Sequence, residues 1–357
     1  MIIKILKEGH SMKLIALLLI ALLAISVTGC GKQSAEPSEQ EEKKIQIVMG
    51  HPFSAQHPIS QQILLPLAKE LEEKSNGRIQ LTIHAGGSVT SAATIREDVA
   101  TGVIDMGWTL QGYTPGKYPL TEVVELPFLF DSALRGSKVL WKLFEQSPAL
   151  QQEYGDVKVI GLWVTDPGEL LSKKLIRKPE DLSGMRIRFA GKAQETLIKK
   201  FGGIPVGMPA PEMYDALERG VLDGVAIGPS VIESYKLHEV INYTTLGLNS
   251  FASAQVIFMN KEKWNSLSPD DQELFASLTG EIIAIKAGKI YDAGWQKGLD
   301  MAKAANIEVY KITPEERENW RQLTLTVVDE WIKDVSSRGL PAQEVYDLMM
   351  KIKDEIE

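Results

Sequence analysis

The sequence contains one cysteine and five histidines in 357 residues. A single thiol cannot form an internal disulfide, so disulfides do not hold this fold together. Only His51 and His57 lie near each other in a loose pair, and we expect no metal site because the histidines lack ligand spacing. The sequence also lacks a Gly-x-Ser-x-Gly turn, a His-Glu-x-x-His pair, a phosphate loop and a dinucleotide fingerprint. These absences argue against an enzyme, and we expect no cofactor.

Basic residues are fewer than acidic ones, and the formal net charge is −8 at pH 7. Removing residues 1–29 takes away three lysines and one glutamate, so the remaining chain is more acidic still. An acidic surface repels nucleic acid and anionic lipid, and we expect neither as a partner.

A long apolar run, residues 14–27, precedes the single cysteine. Lys13 stands before this run and small residues follow it, which is the layout of a secretory signal peptide. A membrane-spanning helix needs about 20 apolar residues, so a permanent span is the less favoured alternative. We predict that residues 1–29 form a signal peptide, with Met12 as an alternative start, and that the protein is exported.

Cys30 would be the first residue after cleavage, and its position resembles the lipid-attachment cysteine of bacterial lipoproteins. A buried core cysteine is the alternative. The following residues are rich in Ser, Glu, Gln and Lys without apolar periodicity, which predicts a flexible tether. We therefore expect residues 30–44 to anchor the protein to a membrane through a lipid on Cys30, in the periplasm or at the cell surface.

The chain from Ile45 onward shows the periodicities of alternating strands and helices. Residues 45–50 and 78–84 have strand patterns, and residues 61–74 between them have helical spacing, which predicts a largely parallel sheet covered by helices. A helix, glycine, strand arrangement at Gly102 recurs over 100 residues later at Gly220. Two similar α/β lobes explain this recurrence and the chain length, although the arrangement is common in any α/β protein.

A long helix is predicted to begin at Pro269. Ser268 can cap it, proline suits its first position, and two acids follow in the first turn. The helical pattern continues to about Ala305, with Gly280 as one place to bend. A helix of this length usually packs against more than one body.

Arg188 is the most informative polar residue. It shares one face of a predicted strand with Arg186 and lies at the strand's C-terminal end. Ligands of open α/β sheets gather at such ends, and a guanidinium there can hold a carboxylate through two hydrogen bonds. A surface arginine paired with a helix acid is an equal alternative on pattern alone.

Several blocks of sequence resemble the solute-binding subunits of TRAP transporters. Three of them lie in the second half of the chain: Gly184-Met185-Arg186-Ile187-Arg188-Phe189, residues 203–209 and residues 212–224. Residues 102–105, 126–128 and 267–272 follow the family's order as well. The resemblance implies an α/β, two-lobed periplasmic-binding-protein (Venus flytrap) fold, with a ligand cleft between the lobes and a long helix spanning both. We expect lobe I at residues 45–165 plus 253–292, and lobe II at residues 166–252 plus 293–357.

The resemblance also implies that Arg188 clamps the carboxylate of a solute and that His51 faces the ligand. The second arginine of sialic-acid-type members is absent from residues 163–169, which favours a smaller or more apolar organic acid. Four other candidate contacts lie near predicted strand ends, and each of them is individually better explained as core than as ligand wall: Trp108, Tyr113, Trp163 and Met208. Ser253, in the second crossing between lobes, is a further candidate contact.

The expected function is that of an extracytoplasmic, monomeric solute-binding protein. It would capture a small organic acid, close around it, and deliver it to the membrane subunits of a TRAP permease without an ATPase. Ligand contacts that both lobes make only when closed would shift the population toward closure. The alternatives are a sensor protein that feeds a receptor kinase and an exported enzyme acting on an organic acid.

Overall fold

The computed structural model describes residues 44–356. The predicted signal peptide, Cys30 and nearly all of the predicted tether lie outside these residues. Within 44–356, none of the helices has the length and apolar character needed to cross a membrane.

The strands of the described residues form two sheets. Their bounds are β1 Ile45–Gly50, β2 Ile79–His84, β3 Met106–Leu110, β4 Val157–Val164, β5 Glu169–Ser172, β6 Arg186–Phe189, β7 Ile204–Gly207, β8 Gly224–Ile227, β9 Tyr243–Leu246, β10 Ala254–Asn260 and β11 Glu308–Lys311.

Helices cover both sheets. The α-helices are α1 Leu65–Lys74, α2 Ile95–Ala100, α3 Ala133–Gln146, α4 Pro148–Gln152, α5 Lys192–Lys200, α6 Met213–Glu218, α7 Val231–Ser234, α8 Lys261–Asn265, α9 Pro269–Leu278, α10 Glu281–Ala304, α11 Pro314–Gln322, α12 Val327–Ser336 and α13 Ala342–Glu355. A π-helical turn, Ser60–Leu64, leads into α1. Short 3₁₀ helices lie at Gln111–Tyr113, Thr121–Glu125, Pro179–Leu182, Ala210–Glu212 and Leu237–Glu239.

The first sheet has five strands in the order β2-β1-β3-β10-β4. Strand β1 runs parallel to β2 and β3, as the βαβ pattern predicts, whereas β10 runs antiparallel to β3 and β4. Every residue of β10 is buried, because helices cover the sheet on both faces and the strand has neighbours on both sides. We call this sheet and its helices the first lobe.

The second sheet has six strands in the order β11-β9-β5-β8-β6-β7. Strand β6 lies between β7 and β8 and runs parallel to both. Strand β5 enters this sheet antiparallel to β8 and β9. We call this sheet and its helices the second lobe, and the two lobes confirm the predicted fold class.

Two connecting segments carry the chain between the lobes and pair with each other. Residues 165–168 link β4 to β5, and residues 247–253 link β9 to β10. The N–H of Thr165 donates to the carbonyl of Ser253 at 2.9 Å, and the N–H of Gly168 donates to the carbonyl of Phe251 at 2.7 Å. The crossing is therefore a two-stranded ribbon, and it is the natural place for a hinge.

The predicted long helix is present but divided. The Ser268 hydroxyl accepts from the N–H of Asp271, so the predicted cap is confirmed. Helix α9 then ends before Gly280, whose φ of +67° belongs to the left-handed region that glycine tolerates best. The continuous part is α10, whose 24 residues correspond to about 36 Å.

Helix α10 touches both lobes, as predicted for the long helix. It packs against α3 and β4 of the first lobe, and against α7 and β11 of the second. The Asp292 carboxylate accepts from the backbone N–H groups of Ala133 at 2.7 Å and Leu134 at 3.1 Å. These bonds satisfy the first free donors of α3 and fix α10 to the first lobe.

The C-terminal helix α13 also packs on α3. The Arg135 guanidinium donates to the carbonyl of Ile356 at 3.0 Å and to that of Lys353 at 3.1 Å. These bonds satisfy carbonyls that the end of a helix leaves free. The last residues, which we expected in lobe II, thus contact a helix of the first lobe.

Candidate ligand-binding site

Arg188 lies at the C-terminal end of β6, in the middle of the parallel part of the second sheet. Its register partners are Val206 on β7 and Val225 on β8. Arg186, two residues earlier, is partly exposed and pairs with Asp223, its Nε standing 3.0 Å from Oδ2. Arg188 is only 1% exposed. The surface ion pair considered for Arg188 is therefore made by Arg186 instead.

The Arg188 guanidinium has few partners. Its Nε donates to the carbonyl of Met208 at 2.9 Å, and its Nη2 lies 3.5 Å from the Tyr113 hydroxyl, at the outer limit of a hydrogen bond. Among residues 44–356, no carboxylate forms an ion pair with it. Burial lowers the pKa of Arg188, while the neighbouring Tyr113 opposes that shift. A buried, unpaired guanidinium is costly and stays charged, so it favours an anion nearby.

A small cavity of about 30 Å³ lies beside this guanidinium, between the two lobes. That volume has room for about two water molecules. Both lobes and both connecting segments line it: Phe53, His57, Leu110, Tyr113, Thr165, Asp166, Arg188, Ala210, Ile227, Val231, Tyr235, Phe251, Ser253, Gln255 and Tyr291. A solute of ring size would require the lobes or their side chains to move apart.

An aromatic cluster from β3 and from the loop after β1 forms and supports one wall of the cavity. The rings of Phe53 and Trp108 have centroids 4.3 Å apart, and those of His57 and Trp108 are 5.1 Å apart. Burial, together with the nearby His51, lowers the pKa of His57 to about 3. His57 is therefore neutral at pH 7, and its Nδ1 accepts from the N–H of Ile59, which leaves the proton on Nε2.

His51 lies behind this wall. It is fully buried, and its Nε2 is 3.3 Å from the Ser60 hydroxyl. Burial lowers its pKa to about 4, and the nearby backbone of Phe53 offsets a part of that shift. His51 therefore carries no positive charge at pH 7 and does not line the cavity among the described residues.

Side-chain hydrogen bonds in both lobes hold polar groups beside the cavity. The indole N–H of Trp108 donates to Oε1 of Gln255 at 2.8 Å, and Nε2 of Gln255 donates to the Tyr291 hydroxyl at 2.7 Å. Nε2 of Gln194 donates to the Ser253 hydroxyl at 2.6 Å. These bonds fix the polar groups that face the cavity.

Of the predicted contacts, Arg188, Tyr113 and Ser253 line one cavity. Met208 contributes its backbone carbonyl to Arg188 rather than its side chain. Trp108 and Trp163 are fully buried, with ring centroids 6.3 Å apart, and they pack behind the lining residues.

Sequence reasoning missed most of the residues that line the cavity. They are Phe53, His57, Leu110, Thr165, Asp166, Ala210, Ile227, Val231, Tyr235, Phe251, Gln255 and Tyr291. For Phe53 and His57 a signal existed, because both belong to the loop that follows β1. No group of at least three His, Cys, Asp or Glu suited to a metal occurs in the part of the chain that the structure describes.

A larger groove of about 700 Å³ lies elsewhere, between α10 and the connecting segments. Trp295 and Leu299 line it from the helix, and Asn249 from the ribbon. It does not contain Arg188. The smaller cavity combines a buried charge with walls from both lobes, and it is therefore the candidate ligand site.

Two α/β lobes, a paired crossing and an enclosed cavity between them are the architecture of a solute-binding protein that closes around its ligand. Residues 49–334 match the bacterial extracellular solute-binding protein family 7, DctP. The chain belongs to this family, and it is the solute-binding component of a TRAP transporter, an exported protein of the periplasmic type.

Similar proteins cover nearly the whole described chain. A TRAP solute-binding protein of Rhodoferax ferrireducens T118, solved with copurified benzoate, is 26% identical with a TM-score of 0.83, covering 87% of this chain and 98% of its own. One from a marine metagenome, specific for aromatic acids and solved with 3-hydroxybenzoate, is 25% identical with a TM-score of 0.84, covering 88% and 99%. TsaT of Comamonas testosteroni, described as an outer membrane transporter protein, is 26% identical over 88% of this chain and 93% of its own length. The sensor and enzyme alternatives find no support in these comparisons.

Proposed function

We propose that the solute is a small organic acid with a flat, apolar body, and that Arg188 binds its carboxylate. The observation that carries this proposal is the buried guanidinium of Arg188, which faces a cavity between the lobes without a carboxylate partner among the described residues. A carboxylate there would form two charge-assisted hydrogen bonds and neutralise the charge.

The walls of the cavity support an aromatic or similarly shaped body. Phe53, Tyr113, Tyr235 and Phe251 supply rings from both lobes and from the crossing. Pockets that bind small molecules commonly combine such apolar walls with a few placed polar groups. The benzoate and 3-hydroxybenzoate bound by two similar proteins are acids of this shape.

The proposed mechanism is a hinge equilibrium around the paired segments 165–168 and 247–253. The strand bounds support the expected division, because β4 ends at Val164 and β5 begins at Glu169. A solute held by Arg188 in the second lobe and by Phe53 in the first has both contacts only when the lobes are closed. Binding then favours the closed shape, which the permease recognises.

Mass spectrometry of small molecules released from the purified, denatured protein tests the ligand class. We expect an acid with one carboxylate and an apolar body. A thermal-shift screen with benzoate, phenylacetate, short aliphatic acids and neutral sugars gives an independent measurement. Stabilisation by neutral sugars and by none of the acids would contradict the proposal.

We also propose that the mature protein is a monomer attached to a membrane by a lipid on Cys30. The support is the sequence alone: an apolar run, small residues and a lone cysteine, followed by a polar tether. Cys30→Ser should move the protein from the membrane fraction to the soluble fraction. Sedimentation of a form that begins at residue 44 should give the mass of one chain.

A further inference from the structure

A buried acidic side chain faces the same cavity as Arg188. Asp166 lies in the crossing segment after β4, is 1% exposed, and lines the cavity. It also sits against the end of β8, where a Cβ at Gly228 would overlap its carboxyl group. Glycine at position 228 thus lets this carboxyl group approach the second lobe closely.

The bonds of Asp166 hold it in place without neutralising it. Oδ2 accepts from the N–H of Ser230 at 2.9 Å, and Oδ1 accepts from the Ser230 hydroxyl at 2.7 Å. Among the described residues, no lysine or arginine forms an ion pair with it. Burial, together with the charge of Asp292, raises the pKa of Asp166 to about 7, against the Ser230 hydrogen bonds.

Tyr291 of α10 lines the cavity together with Asp166. Its hydroxyl oxygen accepts from Nε2 of Gln255, so its own proton is available to another acceptor. The negative charge of Asp166 contributes to raising the pKa of Tyr291, after burial, so the two groups are electrostatically coupled. The cavity thus contains a phenol donor and a carboxylate acceptor in addition to the Arg188 clamp.

Arg188 and Asp166 favour different groups at the two ends of a solute. A carboxylate at Arg188 is attracted, whereas a second carboxylate near Asp166 would bring two like charges together in a poorly hydrated space. A neutral hydroxyl meets no such penalty, because it can donate to Asp166 and accept from Tyr291. A site that hydrogen-bonds a hydroxyl also discriminates against analogues that lack it, since its own polar groups are then left unpaired.

We propose that Asp166 and Tyr291 form a hydroxyl-binding subsite that selects hydroxylated monocarboxylic acids and excludes dicarboxylic acids. This inference rests on the proposed binding of a carboxylate at Arg188. It adds a determinant of specificity: the carboxylate end of the solute binds Arg188, and the hydroxyl end binds Asp166 and Tyr291.

Asp166→Asn separates charge from hydrogen bonding. The amide oxygen can still accept from the N–H of Ser230, and the amide nitrogen can donate to the Ser230 hydroxyl, so the variant should keep the crossing intact. Tyr291→Phe removes the donor and keeps the ring. Circular dichroism and the melting temperature of both ligand-free variants verify that they fold.

The experiment is calorimetric titration at pH 8, above the pKa of Asp166. The ligands are benzoate, its three hydroxy derivatives, isophthalate and terephthalate, together with butyrate, 4-hydroxybutyrate and succinate. For wild type we expect at least one hydroxy acid to bind roughly 10-fold tighter than its parent acid, and each dicarboxylate roughly 100-fold weaker. Asp166→Asn should reduce the discrimination against dicarboxylates about 10-fold, measured as the ratio of dicarboxylate to parent-acid affinity. Tyr291→Phe should reduce the preference for the hydroxy acid.

The outcomes separate this inference from the proposed function. Loss of parent-acid binding in Arg188→Ala would support the proposed function. If Asp166→Asn then left the ratio of dicarboxylate to monocarboxylate affinity unchanged, the function would stand and the subsite would be overturned. Wild-type protein that binds dicarboxylates as tightly as monocarboxylates would overturn it as well. If none of the acids binds, or if Arg188→Ala binds them normally, the carboxylate proposal fails and the subsite with it.

Discussion

The Tyr113 hydroxyl of the first lobe accepts a hydrogen bond of 2.8 Å from the backbone N–H of Ala210 in the second lobe. The same hydroxyl is at the outer hydrogen-bonding limit from Arg188. One phenol oxygen therefore connects the contact between lobes to the proposed carboxylate clamp.

Tyr113→Phe should weaken solute binding roughly 10-fold, because it removes a hydrogen bond present only when the lobes are closed and leaves the Ala210 N–H unpaired. Calorimetric titration with the acid found by mass spectrometry measures the change. Tyr214→Phe is the matched control, since the Tyr214 hydroxyl contacts Glu239 at the surface of the second lobe. Equal affinities for wild type and Tyr113→Phe would contradict the role of this contact.

Arg188→Ala should weaken binding of the same acid by roughly 30-fold or more, because it removes a buried partner of the carboxylate. Arg186→Ala is the control: it removes a guanidinium from the same strand face, but one that pairs with Asp223 near the surface. We expect its affinity to stay near that of wild type. Similar losses in both variants would indicate a general effect of charge rather than a clamp.

Gly112→Ala should hinder closure. A Cβ at this position would lie 2.5 Å from the Ala190 carbonyl oxygen and 2.7 Å from Cα of Gly191, both in the opposite lobe. If the closed population falls about 10-fold, the apparent dissociation constant rises by the same factor. Small-angle X-ray scattering with saturating solute should show a more extended molecule than wild type. Lys117→Ala, exposed in the same loop, should scatter like wild type, and an equally compact Gly112→Ala complex would refute the steric argument.

Glu169 should make folding stability depend on pH. It is 1% exposed and accepts from the N–H groups of Gly247 at 3.0 Å and Leu248 at 2.9 Å. Burial raises its pKa to about 8, against these hydrogen bonds. The folded protein therefore retains a proton that the unfolded chain releases. The resulting stabilisation is complete below about pH 4.5 and is lost as the pH rises through about 8.

Urea unfolding at several values between pH 6.5 and 9 measures this effect. Stability of the wild type should fall across the window, and Glu169 should account for about 2 kcal/mol of the decline. Glu125 and Asp166 act in the same direction, because burial raises their pKa values to about 8 and about 7. Glu169→Gln should show a shallower decline, whereas the exposed Glu273→Gln should follow the wild type. A Glu169→Gln profile parallel to the wild type would show that this carboxyl group is ionised in the folded protein.

The sequence predicted individual strands and helices because their signals are local, whereas the two-lobed architecture followed from the chain length, the recurrence at Gly102 and Gly220, and the family resemblance. The alternation around Arg188 fixes a strand, and the residues at Ser268 fix the start of a helix, so both features follow from neighbouring positions. For Gly280 the sequence predicts only a possible bend in that helix, not its end. Its termination depends on a positive φ and on the close approach of Trp141, 3.0 Å from where a Cβ would lie, which is a tertiary contact.

The candidate site was predicted only in part for the same reason. Arg188 and Tyr113 lie at or just after strand ends, where the fold class places ligands. Asp166 and Tyr291 lie in a connecting segment and in the middle of a helix, and nothing in their periodicity distinguishes a residue facing the cavity from one facing the core. His51 was predicted to face the ligand, but Phe53 and His57 of the same loop line the cavity instead.

Two neighbouring residues of α10 have different roles: Tyr291 lines the cavity, and Asp292 bonds the beginning of α3. Asp292 anchors α10 to the beginning of α3, so the helix cannot rotate about its own axis without breaking two backbone bonds. The Tyr291 hydroxyl, which is bonded to Gln255 of β10, is thereby held in a fixed position relative to the first lobe. A solute too long to fit between Tyr291 and the second lobe would prevent the lobes from closing fully, and the membrane subunits would not recognise that shape.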